Sequence, residues 1–246
     1  DPESGFITLE RKKFENGFEV IKTTAEGLST TYREETLSTG DRRRISISPD
    51  GTRKEVMLKK NGGHEITDAD GTVTTYLYGP DPRWGMQAPI VVSNSIKTPS
   101  GLKQTITHER QVTLADPNNL LSLKTQTDTV LLNGQSFTTE FDASSRCITM
   151  TYPNGRVYSA TVDAFNQPLE IRHPGIETAY SIYDEKGRVS EVIQGSGEES
   201  RTMNFSYNSV GLMQTATDVL ERKKHFEYDK AGRTISRILV GNRQRE

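Results

Sequence analysis

Two stretches near the end of the chain, YDEKGR at Tyr183–Arg188 and YDKAGR at Tyr228–Arg233, are near-copies of one another. Self-similarity at a fixed step is the signature of a fold built from one small unit used repeatedly, and it constrains this chain more than any other feature. Aligning on the residue before the Asp gives Phe141 (FDASSR), Val162 (VDAFNQ), Tyr183, Tyr207 (YNSVGL) and Tyr228, at intervals of 21, 21, 24 and 21. YGPDPR, starting at Tyr78, lies three 21-residue steps before Phe141, and the slots between are blurred.

Each period carries a second punctuation. YPNGRVYSATV, HPGIETAYSIY and GSGEESRTMNFSY fall between the YD turns, and SPDGTRKEV, DADGTVTTYLY and TPSGLKQTI lie upstream. A turn signal roughly every 10 residues is the spacing of short strands joined by tight hairpins. Aromatic residues two apart precede the turns: Phe226 and Tyr228, Phe205 and Tyr207, Tyr76 and Tyr78. That spacing puts both on one face of a strand. No segment reads as a helix; ERKKFENGFEVIK is interrupted by NG and reads as a hairpin. The expected fold is therefore all-β, in antiparallel hairpin repeats.

Each motif residue has an expected structural task. Tyr183, Tyr207 and Tyr228 should share one face as a ladder of rings. Asp184 and Asp229 should accept backbone N–H groups in the turns. Gly187, Gly211 and Gly232 should sit in the hairpin turns, where glycine supplies positive φ. Arg188 and Arg233 start the return strands and are expected to pair across strands. The motif is read as structural, with no catalytic residue in it.

Composition fits either a partly disordered chain or an architecture with a large wet surface. Of 246 residues only 32% are hydrophobic, and the mean hydropathy is −0.66, low for a compact globule of this length. The net charge of −2 gives no drive toward nucleic acid or acidic membrane. The cluster Arg42, Arg43 and Arg44 is read as a solvated strand end or turn, with a phosphate or acidic partner as the alternative. One cysteine, Cys147, excludes an internal disulfide framework. No apolar run approaches the ~20 residues that span a bilayer, so no membrane insertion is expected. The opening DPESGFITLE shows no signal peptide. The chain is expected to be a piece of something longer, with DPES a cloning remnant.

The two YD motifs, their degenerate copies at Phe141, Val162 and Tyr207, and half-repeats such as TYPNGRV and DADGTVTTYLYG together resemble the YD-repeat proteins: the Rhs (rearrangement hotspot), toxin-complex C component and teneurin group. The resemblance is firm from about residue 135 to 240, moderate from 45 to 134 and weak before that. It divides the chain into an N-terminal β segment over 1–44 that would act as a cap, degenerate YD-like repeats over 45–134, and YD repeats with a period of about 21 over 135–246. It implies a long curved sheet, part of a spiral YD-repeat shell much larger than this chain. In bacteria such a shell encloses a C-terminal toxin; in teneurins a similar shell supports adhesion.

Other motifs offer little chemistry. His64, His108, His173 and His225 are widely separated and share no metal-ligand spacing, so neither a metal nor a cofactor is expected. DADG at Asp68 lacks the later ligands of a calcium loop and reads as a hairpin turn. GSG at Gly195 falls in the 24-residue step and is neither a phosphate loop nor a nucleophile elbow. Asn204 opens a sequon within a strand, which reads as chance. Trp84 is read as an anchor at a shell or sheet edge rather than a sugar platform. The Asp-Pro steps at Asp81 and Asp116 lack the Gly-Leu of the Rhs cleavage motif. Two functions follow from the resemblance. One is a non-catalytic wall segment of a secreted or cell-surface protein, partnered by other shell segments and an enclosed toxin domain. The other is an adhesion module that binds carbohydrate or a surface protein. Self-association through the edge strand at ISRILVGN is also expected.

Overall fold

One turn geometry accounts for most of the chain's reversals. At SPDGT, Ser48 N–H donates to the Thr52 carbonyl and Gly51 N–H to the Ser48 carbonyl, both at 2.9 Å, and Gly51 has φ +82. This is a three-residue loop closed by a left-handed residue in its third place, the hairpin connection of a type I turn with a glycine bulge. The same two bonds recur at Asp68–Thr72, Thr98–Leu102, Tyr152–Arg156, Asp184–Arg188, Asn208–Leu212 and Asp229–Arg233, among others. Glycine fills the left-handed place in these because it has no Cβ to clash there.

The computed structural model of the protein describes residues 5–240; DPES and GNRQRE, with the Gly241 and Asn242 of the ISRILVGN run, lie outside them. Between its turns the chain is almost entirely strand, and the one helical element among the described residues is a 3-10 turn at Gly197–Glu199. That turn lies in the 24-residue step, where the sequence carries its insertion. The fold is all-β, in antiparallel hairpin repeats. Among the described residues no helix is long and apolar enough to cross a membrane.

The chain forms two compact units, Asp1–Phe137 and Thr138–Glu246. The first holds β1 (Ile7–Phe14), β2 (Gly17–Thr24), β3 (Ser29–Thr36), β4 (Arg42–Ile47), β5 (Arg53–Leu58), β6 (His64–Thr67), β7 (Val73–Asp81), β8 (Gly85–Lys97), β9 (Lys103–Leu114) and β10 (Leu123–Leu132). Each pairs antiparallel with its sequence neighbour. After β11 (Gln135–Asp142), the second unit continues with β12 (Cys147–Thr151), β13 (Val157–Val162), β14 (Pro168–His173), β15 (Ile176–Tyr183), β16 (Val189–Gln194), β17 (Arg201–Tyr207), β18 (Met213–Thr217), β19 (Lys223–Tyr228) and β20 (Thr234–Val240). From β11 to β20 the pairing is again a pure antiparallel meander.

Neither unit shows a conventional core among its described residues. Among the described residues Val162 is the one buried hydrophobic side chain, and Glu35 and Asp81 are the buried charged ones. Most strand residues are half-exposed on both faces, so each unit is held by its ladder and by lateral side-chain contacts within a wall. This accounts for the low apolar content.

Three local expectations change. The ENG hairpin forms, but its turn residues are Glu15 and Asn16, since Phe14 pairs with Gly17. Gly17 is required because a Cβ there would fall 2.0 Å from the Glu34 carbonyl oxygen of β3. Arg42, Arg43 and Arg44 lie within β4 and are neutralised by β3: Arg44 Nε donates to Glu34 at 2.7 Å, Arg42 lies 3.6 Å from Glu34, and Arg43 pairs with Glu35. In FDASSR the left-handed residue is Arg146, φ +53, one place later than the Gly of YDEKGR.

Candidate functional site

The YD turns line up along one end of the second unit's strands. Directly paired residues share a face. Register therefore runs one face from Ser181 to Val192 to Met203, and from Phe205 to Ala216 to Lys224. Tyr183, Tyr207 and Tyr228 keep the phase of Ser181, Phe205 and Lys224 along their own strands, so all three are on that face. They are two strands apart, and each is tied to backbone through its hydroxyl. Each hydroxyl donates to the carbonyl of the first residue of the preceding strand: Tyr183 to Pro168 at 2.8 Å, Tyr207 to Val189 at 2.7 Å, Tyr228 to Met213 at 2.7 Å.

The Asp closes its turn as expected, and more fully. Asp184 Oδ1 accepts the N–H groups of Lys186 and Arg188, each at 2.9 Å. Its Oδ2 takes Arg188 Nε at 2.8 Å and Nη2 at 2.5 Å. The arginine therefore folds back onto its own turn instead of pairing across strands. Asp229 repeats this with Ala231, Arg233 N–H and Arg233 Nε. The Arg188 guanidinium holds the Asp184 carboxyl below its ordinary value, and the Arg233 N–H followed by its guanidinium does so for Asp229. Burial opposes both only weakly.

The residue after the left-handed place carries each turn to the next. Gln167 Nε2 donates to the Gly187 carbonyl at 2.7 Å, and a Cβ on Gly187 would approach that nitrogen to 2.9 Å. A Cβ on Gly211 would lie 3.6 Å from Arg188 Nη1, and one on Gly232 3.7 Å from Leu212 Cδ1. Arg188 also covers the Tyr207 ring, its Cζ 4.3 Å from the centroid. Tyr183, Asp184, Gly187, Arg188, Tyr207 and Gly211 are thus one connected cluster, continued by Tyr228, Asp229, Gly232 and Arg233.

A turn of the same build escapes the sequence reading. Asp218 Oδ1 accepts Leu220 and Arg222 N–H, and Oδ2 accepts Arg222 Nε at 2.7 Å, with Glu221, φ +59, in the left-handed place. Its signal is Asp-x-x-x-Arg alone, without glycine.

A second cluster, in the first unit, joins residues far apart in sequence. Asp81 closes the tip of the β7–β8 hairpin by accepting Arg83 N–H at 2.8 Å and Trp84 N–H at 3.1 Å; its other oxygen takes Arg110 Nη1 at 3.1 Å. Trp84 accordingly sits in a hairpin tip. Arg110 Nε donates to Asp128 Oδ1 at 2.7 Å, where His108 Nε2 also lies at 2.6 Å, and Gln126 donates to Oδ2 at 2.7 Å. Burial pushes both carboxyls up, yet each stays below its ordinary value. The backbone N–H of Arg83 and the Arg110 side chain hold Asp81 down, and Arg110, Gln126 and His108 hold Asp128 down. This network ties β7, β9 and β10. Among the described residues no three His, Cys, Asp or Glu side chains are placed to hold a metal ion.

Comparison with known proteins accords with this geometry. No curated protein matches the sequence. Among solved structures, a TcdB2-TccC3-Cdc42 crystal structure is similar at 12% identity and TM-score 0.43, over 92% of this chain and 14% of that one. The Photorhabdus luminescens Tc holotoxin pore carrying TccC3-D651A follows at 14% identity and TM-score 0.35, over 91% of this chain and 16% of that one. A porin-like protein from Bacteroides uniformis is similar at 15% identity and TM-score 0.29, over 96% and 93% of the two chains. At TM-scores below 0.5 these likenesses add nothing to the family assignment, and this chain spans about one-seventh of the first. The sequence model of the teneurin YD-shell matches residues 2–245, from the first hairpin through the last. The chain therefore belongs to the teneurin YD-shell family.

Proposed function

We propose that this chain is a non-catalytic wall segment of a YD shell that encloses a C-terminal toxin or effector domain of the same protein, on the secreted or cell-surface side. The observation that carries this reading is the build of the second unit: a meander with no packed core, whose strands are fastened to one another by tyrosine hydroxyls and stacked turns. A wall of this kind spends its side chains on continuity between neighbours and leaves both faces wet. The polar network around Arg110 serves the same purpose in the first unit, and the motif residues act structurally.

The test uses the complete open reading frame. The full-length protein is expressed and digested with a broad-specificity protease, beside the isolated downstream domain. Enclosure predicts that the downstream domain survives in the full-length protein and is cut once the shell is opened with denaturant. Equal cleavage of free and shell-linked domains would overturn enclosure. Cell-surface binding by the same full-length protein would then favour the adhesive alternative.

A further inference from the structure

We propose that one face of β1–β5 is a docking surface for an acidic polypeptide segment that carries a large apolar side chain. The inference goes beyond the wall-segment reading and does not depend on what the wall encloses. It comes from register. The ladders from β1 through β5 run without a bulge, and directly paired residues share a face. Arg11, Lys13, Lys22, Arg42, Arg44 and Lys54 therefore fall on one face, where the five strands supply a single carboxylate, Glu34. The opposite face is balanced: Lys12, Arg33, Arg43 and Arg53 meet Glu10, Glu19, Glu35 and Glu55. A chain of net charge −2 thus gathers positive charge on one side of these strands.

Much of that charge has no internal partner. Arg42 and Arg44 share Glu34, at 3.6 and 2.7 Å, and Lys54 reaches Asp68 in the β6–β7 turn at 2.8 Å. Among the described residues Arg11, Lys13 and Lys22 have no carboxylate partner. Arg11 rests on the Phe18 ring, its Cζ 4.5 Å from the centroid, which positions the charge without cancelling it.

Between the cations lies a trough of about 360 Å³. Phe18, Tyr32 and Val56 give it an apolar floor, and Glu34, Arg44 and Lys54 stand at its margin. Tyr32 is 47% exposed, so the floor is open to a partner. The volume is at the small end of ligand pockets, room for an inserted side chain. An apolar anchor in a pocket, ringed by complementary charge, is how a protein segment is held and oriented. Other polyanions fit less well. A flat bilayer cannot enter a concave trough, and a nucleobase needs a free ring face, which Arg11 occupies at Phe18.

The experiment is calorimetric titration of the 246-residue chain with a short peptide of Glu and Asp that has Phe at its centre. Saturable binding is expected, and it should weaken as salt rises. Ala in place of the central Phe should weaken it about fivefold, and Gln in place of the acids should abolish it. Lys13→Glu in the protein should weaken it about threefold, whereas Lys12→Glu, one residue away on the other face, should leave it unchanged. Glu34→Gln removes the carboxylate of this face and should tighten binding about twofold. Circular dichroism checks that each variant keeps its fold. No saturable signal up to about 1 mM peptide would overturn the proposal. So would equal effects of Lys12→Glu and Lys13→Glu, weaker binding by a folded Glu34→Gln, or tighter binding of oligothymidylate or phosphatidylserine vesicles than of the peptide.

Discussion

The turns of the two units share a backbone and differ in how it is buttressed. In the first unit, SPDGT and DADGT place the Asp next to the glycine, where Asp50 and Asp70 accept the N–H and hydroxyl of Thr52 and Thr72. In the second, Asp184, Asp218 and Asp229 open the loop, accept two N–H groups and hold an arginine four residues on. In the first arrangement the carboxylate's bonds stay within its own loop. The second also presents a long side chain to the neighbouring turn. One loop geometry thus serves either to reverse a strand or to fasten successive hairpins. The switch is the position of one carboxylate.

The sharpest way to break this contrast is an alanine in the left-handed place. Gly51 and Gly187 have similar φ, +82 and +74, so a Cβ strains both by about 1–2 kcal/mol. Only at Gly187 does it also meet a neighbour, Gln167 Nε2 at 2.9 Å, while nothing lies within 4 Å at Gly51. Gly187→Ala should therefore lower Tm more than Gly51→Ala, by several degrees. Equal losses would mean that the turns of the second unit do not lean on each other.

Glu221→Gly runs the same logic backwards. It removes a Cβ from φ +59 in an Asp-x-x-x-Arg turn and should raise stability by about 1 kcal/mol in denaturant unfolding. Tyr228→Phe should cost about 1 kcal/mol through loss of the bond to the Met213 carbonyl. Tyr32, which makes no such stitch in the first unit, should tolerate the change.

Acid should act on both kinds of turn. The carboxyls of Asp50, Asp70, Asp184, Asp218 and Asp229 are all held below their ordinary value, and Asp142 is held at about 2, chiefly by the Ser144 hydroxyl. A lowered carboxyl stabilises fully above its unfolded value of about 3.9 and loses that contribution as pH falls through the folded one. Stability should be flat near neutrality and decline below about pH 4. The smallest effect separates the two designs. Asp50→Asn keeps an acceptor oxygen and should be nearly silent, whereas Asp184→Asn leaves Arg188 without its counter-charge and should lose stability in a salt-dependent way. The chain already holds the neutral version: Asn208 opens a turn whose fourth following residue is Leu212.

What could be read from the sequence was local. The turns at Gly187, Gly211 and Gly232, and the shared face of the three tyrosines, follow from period and parity alone. The Asp218 turn was hidden because Glu221 occupies a place that glycine usually marks. The tyrosine hydroxyl bonds run to the strand before, beside turns that also carry bulges such as the shift between Ile182 and Tyr183, and no spacing announces either. The Asp81, Arg110 and Asp128 network was hidden for a different reason. Its members come from separate hairpins and meet only through register.

The absence of a core in either unit has a mechanical consequence. When strands pair only with their sequence neighbours and side chains reach at most one strand further, there is no nucleus whose loss brings down the rest, and stability is close to a sum over junctions. Such a ribbon should open from its ends, strand by strand, as a zip does. Hydrogen exchange would then be fastest near the outermost strands of each unit and slowest midway, and a pulled chain would yield in small steps instead of one rupture. Toughness in a wall of this design comes from length.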